Sequence, residues 1–313
     1  MLTYIIRRLL ILIPMLIGIS FLVYLGLELT PGDAVSHLIP PELASQVSPE
    51  KLDEIRASLG LDKSFLHRYF SWFWNMIQGN FGYSLSGGVA IHEIVLDRLP
   101  ATLELSAAAL LISTFFGCLL GTYSALKRGS LTDSSLSVAG MLGVSIPEFF
   151  FGLVAILIFS LHLGWFPVGG RLMPGFDSWL DHLPNIVLPS LVLSMMMTAG
   201  VMRYSRSSML DVMNKEFMRT ARSKGLPEWR VNLIHGFRVA LTPVIVLIGF
   251  RLPTLIGGSV IIEEVFQWPG IGAEFIEAVR GQNYPLVMMI ALLSVFAMLI
   301  ASLIIDVLTA IVD

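Results

Sequence analysis

The chain has 313 residues, of which 55% are hydrophobic and 14% are charged, and its formal net charge at pH 7 is -3. Soluble domains carry about 25% charged residues. This shortage of charge, with a mean hydropathy of +0.78, excludes a water-covered surface for much of the chain and predicts a protein embedded in lipid. The one cysteine, Cys118, excludes a disulfide, a thiolate metal site and a redox pair within a single chain.

Six apolar stretches are long enough to span a membrane, which takes about 20 residues. The first follows Arg7 and Arg8, and no small-residue cleavage site comes after it, so we expect a retained span rather than a removed signal peptide. The sequence therefore predicts an all-α, polytopic bundle of six transmembrane helices. The stretches are residues 9–29, 101–123, 135–161, 186–202, 243–262 and 285–312.

Residues 30–100 separate the first two spans and are predicted to form a partly helical insertion outside the cytoplasm. Ser48 and Pro49 suit the first positions of one helix. A second helix is expected over residues 63–78, where aromatic side chains recur at helical spacing. Such aromatics are typical of a packed face or an interfacial belt, and a ligand platform is the less favoured alternative.

Basic residues are unevenly distributed along the chain. Twelve of the 20 lysines and arginines lie in the N-terminal tail, in residues 124–134 and in residues 203–242. The loops 162–185 and 263–284 hold one arginine each. Because cytoplasmic loops of membrane proteins are enriched in lysine and arginine, this pattern predicts that both termini and residues 203–242 face the cytoplasm.

Motifs for enzymatic chemistry are missing from the sequence. The nucleotide-binding motif G-x-x-x-x-G-K-[ST] requires a glycine followed by a lysine, and no lysine here follows a glycine. Any ATP that drives this protein must therefore be hydrolysed by another chain. The six histidines are too scattered to indicate a metal site, and no Ser-His-acid arrangement is recognisable. We expect no catalytic residues, no bound metal and no cofactor in this chain.

Arg251 lies near the middle of the fifth span, where an unpaired charge is costly. One interpretation places it on a water-filled pathway, where it meets an anionic group of a substrate. The other pairs it with an acid or a backbone carbonyl of a neighbouring helix. Asp306 and Glu104, near the ends of their spans, are expected at the membrane interface.

Residues 214–224 are predicted to form a short cytoplasmic helix, because Gly225 is the residue preferred just past a helix end. Phe217, Met218 and Ala221 fall on one face of that helix. An apolar face on a cytoplasmic segment suits docking into a groove on a partner protein. A helix lying on anionic lipid is the alternative. Binding of nucleic acid is a poor third, since no aromatic residues are interleaved with the charges.

The string RTARSKG at residues 219–225, followed by His235 and by Leu241-Thr242-Pro243, resembles the cytoplasmic EAA loop of importer-type ABC permeases. The form is that of dipeptide, oligopeptide and nickel uptake systems, with Arg219 in place of the general glutamate. Further blocks agree with this family in chain order. They are TPGD (30–33), LGLD (59–62), GNFGYS (79–84), PATLE (100–104), LGWFP (163–167), EEVF (263–266) and WPGIG (268–272).

This resemblance implies the type I ABC importer permease fold. The tail and first helix would be residues 1–29, the insertion 30–100, and the core permease domain 101–313 with its coupling loop 203–242. The implied function is ATP-driven import of short peptides (dipeptides and oligopeptides), with nickel, a metal chelate or glutathione as alternatives. An ion-coupled secondary transporter is less favoured, because Arg251 is nearly the only ionisable residue at mid-membrane.

The resemblance also implies partners and site residues. The partners would be a second permease, two ATP-binding subunits that hold ATP and Mg²⁺, and an extracytoplasmic solute-binding protein, all at the bacterial inner membrane. Arg251 would lie on the substrate pathway, and Trp268, Pro269 and Gly270 would form an outer gate or contact the binding protein. The residues expected to couple to the ATP-binding subunits are Phe217, Met218, Arg219, Thr220, Ala221, Arg222 and Gly225.

Overall fold

The computed structural model describes residues 2–29, 62–172 and 179–312. Regular elements in these residues are all helical, with β pairing confined to one bridge between Tyr83 and Ala90. The helix predicted to begin at Ser48 and Pro49 lies outside the described residues. The α-helices are α1 (Leu2–Glu28), α2 (Phe65–Ile77), α3 (Ile91–Leu126), α4 (Leu131–Ser145), α5 (Glu148–Ala155), α6 (Trp179–Met213), α7 (Glu216–Ser223), α8 (Arg238–Gly258), α9 (Val260–Val265), α10 (Ile271–Arg280) and α11 (Tyr284–Val312).

Two π-helical segments complete the list of described helices: Ile156–His162 continues α5, and Arg230–Phe237 leads into α8. Within the described ranges, five helices are long and apolar enough to cross a membrane. They are α1, α3, α6, the run from Arg230 into α8, and α11. If α4 and α5, with its π-helical continuation, are counted together as one bent span, they supply a sixth. The predicted all-α membrane bundle is confirmed.

The third predicted span is broken rather than straight. The axes of α4 and of α5 with its π-helical continuation differ by 100°. Pro147 precedes the first residue of α5, and Ile146 before it has an extended backbone with ψ of 131°. Proline has no N–H to donate and disfavours helical geometry in the residue before it. Hydropathy measures only how apolar a stretch is, so it could not predict this change of direction.

Helices also continue beyond the predicted spans. α3 begins at Ile91, α6 runs to Met213, and the chain is helical again from Arg230. Most of residues 203–242, predicted as a loop, is therefore helical. The difference arises because hydropathy marks only the part of a helix that lies in lipid, whereas backbone hydrogen bonds continue the same helix into water.

Contacts divide the chain into two compact units. One consists of Arg98–Ala273 and Ala297–Asp313, and the other of Leu2–Asp97 and Glu274–Phe296. The candidate functional residues predicted from the sequence all lie in the first unit. The division into tail, insertion and core permease domain expected from the sequence stays a prediction.

In the second unit, α2 packs on α1 through Tyr69, which is 3% exposed. The Tyr69 hydroxyl hydrogen-bonds with Ser20 Oγ at 2.8 Å and donates to the carbonyl of Ile17 at 3.2 Å. The rings of Phe21 and Tyr24 lie 5.2 Å and 5.6 Å from the Tyr69 ring. The helix predicted over 63–78 is thus confirmed, and its aromatic side chains form a packed face.

In the first unit, α3 and α6 approach closely at two glycines one helical turn apart. A Cβ on Gly117 would lie 2.6 Å from the Cβ of Val201, and one on Gly121 would lie 2.8 Å from the Cβ of Ser205. Side chains do not tolerate such distances. The G-x-x-x-G spacing is typical of helix pairs that associate in lipid, where small residues allow the backbones to touch.

Candidate coupling helix and translocation groove

The short helix α7 connects the end of α6 to the π-helical segment Arg230–Phe237. Its C-cap is Lys224, and Gly225 follows with φ of +73°. The Gly225 N–H donates to the carbonyl of Arg222 at 2.9 Å. Glycine is favoured at this position because its left-handed backbone is strained for residues with a Cβ. The predicted short helix and its glycine terminator are confirmed.

The apolar face of α7 packs against the chain itself. Met218 has no exposed surface and Ala221 is also buried. Both lie in one cluster with Met209 and Val212 of α6 and with Val231 of the π-helical segment. The expectation that Met218 anchors in a groove of a partner therefore differs from the structure, because its side chain is already enclosed by this chain.

Phe217 lies at the edge of this buried face, and the rest of the α7 surface is accessible to another protein. Phe217 is 38% exposed, and the side chains of Arg219 and Thr220 are exposed as well. Arg222 Nε donates to Glu228 Oε1 at 3.0 Å, which orients the guanidinium group at the edge of the helix. This surface combines one aromatic ring with a charged rim, and the role of these residues in coupling stays a prediction.

A groove of about 670 Å³ lies between α6 and α8. The α8 side is formed by Val239, Pro243, Leu247 and Arg251, which recur every four residues and so share one helix face. The polar residues on the α6 side recur at helical spacing too. They are Arg203, Tyr204, Ser207, Ser208 and Asp211.

The two helices that line this groove run in opposite directions. Val201 of α6 packs with Val244 of α8, whereas Val212, three turns later in α6, packs in the cluster that contains Ala240. One end of the groove is consequently formed by Arg203 and Arg251, and the other by Asp211 together with Lys215, which follows α6.

Arg251 reaches across the groove to the backbone of α6. A Cβ on Gly200 would collide with the Arg251 guanidinium group, so glycine is needed there for the arginine to fit. The guanidinium groups of Arg251 and Arg203 are close enough to repel each other. Of the two interpretations given for Arg251, its position in the groove favours the pathway, and this role remains a prediction.

Another side of α6 is fixed by a buried ion pair. Asp133, at the start of α4, is 5% exposed. Its carboxylate accepts hydrogen bonds from Arg206 Nε and Nη2, each at 2.8 Å, and from the Gly129 N–H at 3.0 Å. Ser124 Oγ donates to the same carboxylate at 2.5 Å. The turn between α3 and α4 is thereby tied to α6 beside the groove.

A second buried carboxylate organises the segment after α9. Glu263 has no exposed surface. It accepts hydrogen bonds from Thr102 Oγ1 and Ser259 Oγ, each at 2.8 Å, and from the Ala273 N–H at 3.0 Å. The Thr102 oxygen in turn accepts from the Ile271 N–H at 2.8 Å. In the described part of the chain, no group of three or more His, Cys, Asp or Glu could hold a metal ion.

The same segment contains the three residues predicted to gate the outer mouth or contact a binding protein. Trp268 is fully buried, and its Nε1 donates to the carbonyl of Ala101 at 2.8 Å. Gly270 is buried, and Pro269 is half-buried. Trp268 supports the segment from inside, and the predicted gate or contact role of the three residues stays untested.

Sequence analysis missed both buried acids. Asp133 lies three residues after Ser130, the N-cap of α4. The Ser130 hydroxyl accepts a hydrogen bond from the Asp133 N–H at 3.3 Å, so this stretch of sequence looks like an ordinary helix start and gives no sign of a buried ion pair. Glu263 lies in the EEVF block (263–266), and nothing in that block distinguishes it from its neighbour Glu264. The available signal was an acid at the edge of an apolar segment, where an unpaired charge is costly.

Comparison with known proteins places the chain in a family. The model of the binding-protein-dependent transport system inner membrane component family matches residues 117–313, and that of its N-terminal region matches residues 1–106. The chain is 39% identical to the oligopeptide transport system permease protein AppB of Bacillus subtilis (strain 168), over 100% of this chain and 98% of that protein.

Two further relatives cover the same length. The dipeptide transport system permease protein DppB of Escherichia coli (strain K12) is 33% identical over 100% of this chain and 98% of its own. The glutathione transport system permease protein GsiC of Escherichia coli O1:K1 / APEC is 35% identical, again over 100% of this chain and 98% of its own. The chain is a multi-pass membrane protein that belongs to the inner-membrane permease family of binding-protein-dependent ABC transport systems.

Proposed function

We propose that this chain is the permease subunit of an ATP-driven importer of short peptides and forms the translocation pathway with a second, homologous permease. The observation that carries the proposal is similarity over the whole chain to a relative named as an oligopeptide permease. The polar groove between α6 and α8 supports it, because a passage for peptides needs hydrogen-bonding groups along its wall.

ATP and Mg²⁺ are bound by two separate ATP-binding subunits, which contact the exposed face of α7. The buried side of α7 makes it a suitable lever. Met218 lies in a cluster with Met209 of α6 and Ala240 of α8, so a displacement of α7 is transmitted to both helices that line the groove. This chain itself performs no catalysis in the proposed cycle.

An extracytoplasmic solute-binding protein delivers the peptide from the other side of the membrane. The lysine and arginine distribution supports an orientation with both termini and α7 in the cytoplasm. In that orientation the segment held by Glu263 and Trp268 lies at the outer side, where it forms part of the outer gate. The location is the cytoplasmic membrane of a bacterium.

The test is reconstitution of the chain with its partner subunits in proteoliposomes. Uptake of a labelled tripeptide is expected to require ATP, the binding protein and this chain together. Hydrolysis of ATP is expected to rise when the loaded binding protein is added. Uptake by the chain alone, driven by an ion gradient, would identify a secondary transporter and overturn the proposal.

Glutathione is a second candidate solute, because it is itself a tripeptide and a glutathione permease is 35% identical to this chain. Competition in the same proteoliposomes separates the two solutes. If unlabelled glutathione blocks uptake more strongly than alanine tripeptides do, glutathione is the solute. Nickel stays a prediction from the sequence resemblance alone.

A further inference from the structure

We propose that α2 lies along the surface of the membrane, with an apolar row of side chains on one of its faces inserted among the lipid acyl chains. Each side chain of this apolar row is more than half exposed: Leu66, Phe70, Trp74 and Ile77. The partner of the row is the lipid leaflet that surrounds the C-terminal end of α1. The inference goes beyond the proposed function, because it does not depend on which solute is transported.

The packing of α2 on α1 sets its depth in the membrane. Only 6% of the apolar window Leu10–Glu28 of α1 is buried, so most of this span faces lipid. The rings of Phe65 and Tyr69 lie 5.2 to 5.7 Å from the rings of Phe21 and Tyr24.

The level of these ring contacts matches that of an interfacial helix. Phe21 and Tyr24 come seven and four residues before Glu28, where the span ends. At 1.5 Å per residue they lie about 10 Å and about 6 Å from that end. Helices that lie in the membrane interface bury their apolar face about 5–10 Å into the boundary between headgroups and acyl chains.

Two polar contacts hold α2 at this level. Arg68 Nη2 donates to Glu28 Oε1 at the end of the span. The hydroxyl of the next residue, Tyr69, hydrogen-bonds with Ser20 Oγ at 2.8 Å. Ser20 comes eight residues before Glu28, which is about 12 Å along the axis. Neighbouring residues of α2 therefore reach in opposite directions, the guanidinium group towards water and the phenol ring towards the hydrocarbon.

The three faces of α2 have different surroundings. Successive helix residues point 100° apart, so Phe70 and Ser71 point about 100° and about 200° around the axis from Tyr69. The Tyr69 face meets α1. The row that contains Phe70 is apolar and exposed, and the row that contains Ser71 is polar and exposed: His67, Ser71 and Asn75.

A helix that lies flat beside an upright α1 satisfies all three faces at once. One exposed row then points to the acyl chains and the other to water, which is the arrangement of an interfacial amphipathic helix. Tryptophan is enriched at this level of membrane proteins, and Trp74 belongs to the apolar row. Lipid is favoured over a protein partner, because a soluble protein would have to enter the leaflet to reach this row at the level of Phe21 and Tyr24.

Spin labels on single cysteines test which medium each row faces. The full chain, reconstituted in nanodiscs with its partner subunits, carries Cys118→Ser and one new cysteine at a time. Phe70→Cys and Trp74→Cys report on the apolar row. Ser71→Cys and Asn75→Cys are matched controls on the polar row, and all four positions are exposed. The measured quantity is the ratio of accessibility to oxygen, which concentrates in lipid, to accessibility to a water-soluble chromium complex.

We expect the oxygen-to-chromium ratio to be several-fold higher at positions 70 and 74 than at positions 71 and 75. Equal ratios at all four positions would place α2 in water and overturn the proposal. Adding excess solute-loaded binding protein should leave the ratios at positions 70 and 74 unchanged. If the binding protein instead lowers the access of both reagents there, the apolar row is a protein-docking surface and the assignment to lipid is wrong.

The depth of α2 is tested with a bimane fluorophore on Trp74→Cys and with lipids that carry a nitroxide quencher. A nitroxide near the headgroup should quench the fluorophore more strongly than a nitroxide at the end of the acyl chain. The reverse order would mean that α2 enters the middle of the membrane, which contradicts a helix lying along its surface. Peptide uptake is not needed for either readout, so failure of the proposed function gives a different result.

Discussion

Glu263 places a carboxylate where it has no exposed surface, and three hydrogen-bond donors converge on it. Glu263→Ala would leave Thr102, Ser259 and the Ala273 N–H without this acceptor. An unsatisfied buried group costs about 1–3 kcal/mol, so we expect the free energy of unfolding to fall by at least about 3 kcal/mol.

The measurement for Glu263→Ala is thermal unfolding in detergent, followed by a thiol-reactive fluorophore. Cys118 is 6% exposed and is the only cysteine, so it reacts as the protein unfolds. Glu277→Gln changes an exposed acid and serves as the matched control. Equal melting temperatures for Glu263→Ala and the control would show that the buried network does not stabilise this segment.

The sequence does not predict which of two similar neighbouring residues is buried. Glu263 and Glu264 are neighbours, but successive helix residues point about 100° apart, and only Glu263 faces Thr102. Phe217 and Met218 pose the same problem, because both are apolar and only Met218 faces the core. Which neighbour turns inward depends on what α3 and α6 present, and no local pattern contains that information.

At the scale of elements, α7 has one face packed against its own chain, and the rest of its surface is exposed. Met218→Ala removes a fully buried side chain and should lower the free energy of unfolding by about 2–5 kcal/mol. Phe217→Ala should leave the melting temperature unchanged and reduce co-purification of the ATP-binding subunits. The reverse pattern would mean that α7 presents its other face in the assembled transporter.

Gly225 fixes the end of the same element. Gly225→Val forces a branched side chain into a backbone with φ of +73°, which disfavours the sharp end of α7 by roughly 1–2 kcal/mol. We expect ATP hydrolysis to persist while peptide uptake falls severalfold at wild-type expression. Uptake and hydrolysis are measured on the same proteoliposomes, and normal uptake would remove the lever assignment.

The contact between α3 and α6 depends on Gly121, where no Cβ fits against Ser205. Gly121→Leu should separate the two helices and give a chain that unfolds well below the wild-type temperature, as followed by Cys118 labelling. Gly143→Leu is the matched control, because a Cβ there meets nothing within 4 Å. A shift no larger than that of the control would contradict close packing of the two helices.

At the scale of the whole molecule, the sequence predicted a membrane bundle built of helices, and it placed the short helix ahead of Gly225. It did so because spans and helix ends are local patterns of hydropathy and backbone conformation. The groove between α6 and α8 could not be predicted, since it exists only where two helices distant in sequence face each other. The 100° bend at Pro147 was not predicted either, because a proline interrupts a helix without fixing the direction that the chain takes after it.

Orientation in the membrane is a prediction that single cysteines can check. In a Cys118→Ser background, Arg128→Cys and Glu228→Cys should react only with reagents that reach the cytoplasm. Val89→Cys and Arg280→Cys should react with membrane-impermeant reagents applied outside intact cells. All four positions are exposed. Labelling of both pairs from the same side would contradict the positive-inside interpretation.

The π-helical segment Arg230–Phe237 can tolerate the deletion of one residue. A π turn closes i→i+5 hydrogen bonds, so it holds one residue more than the matching α turn. Deleting a residue inside an α-helix rotates everything beyond it by about 100°. A deletion within Arg230–Phe237 can instead be absorbed when π turns become α turns, and Val244 keeps its contact with Val201. Between α7 and the groove, evolution can therefore remove a codon without changing which face of α8 lines the groove.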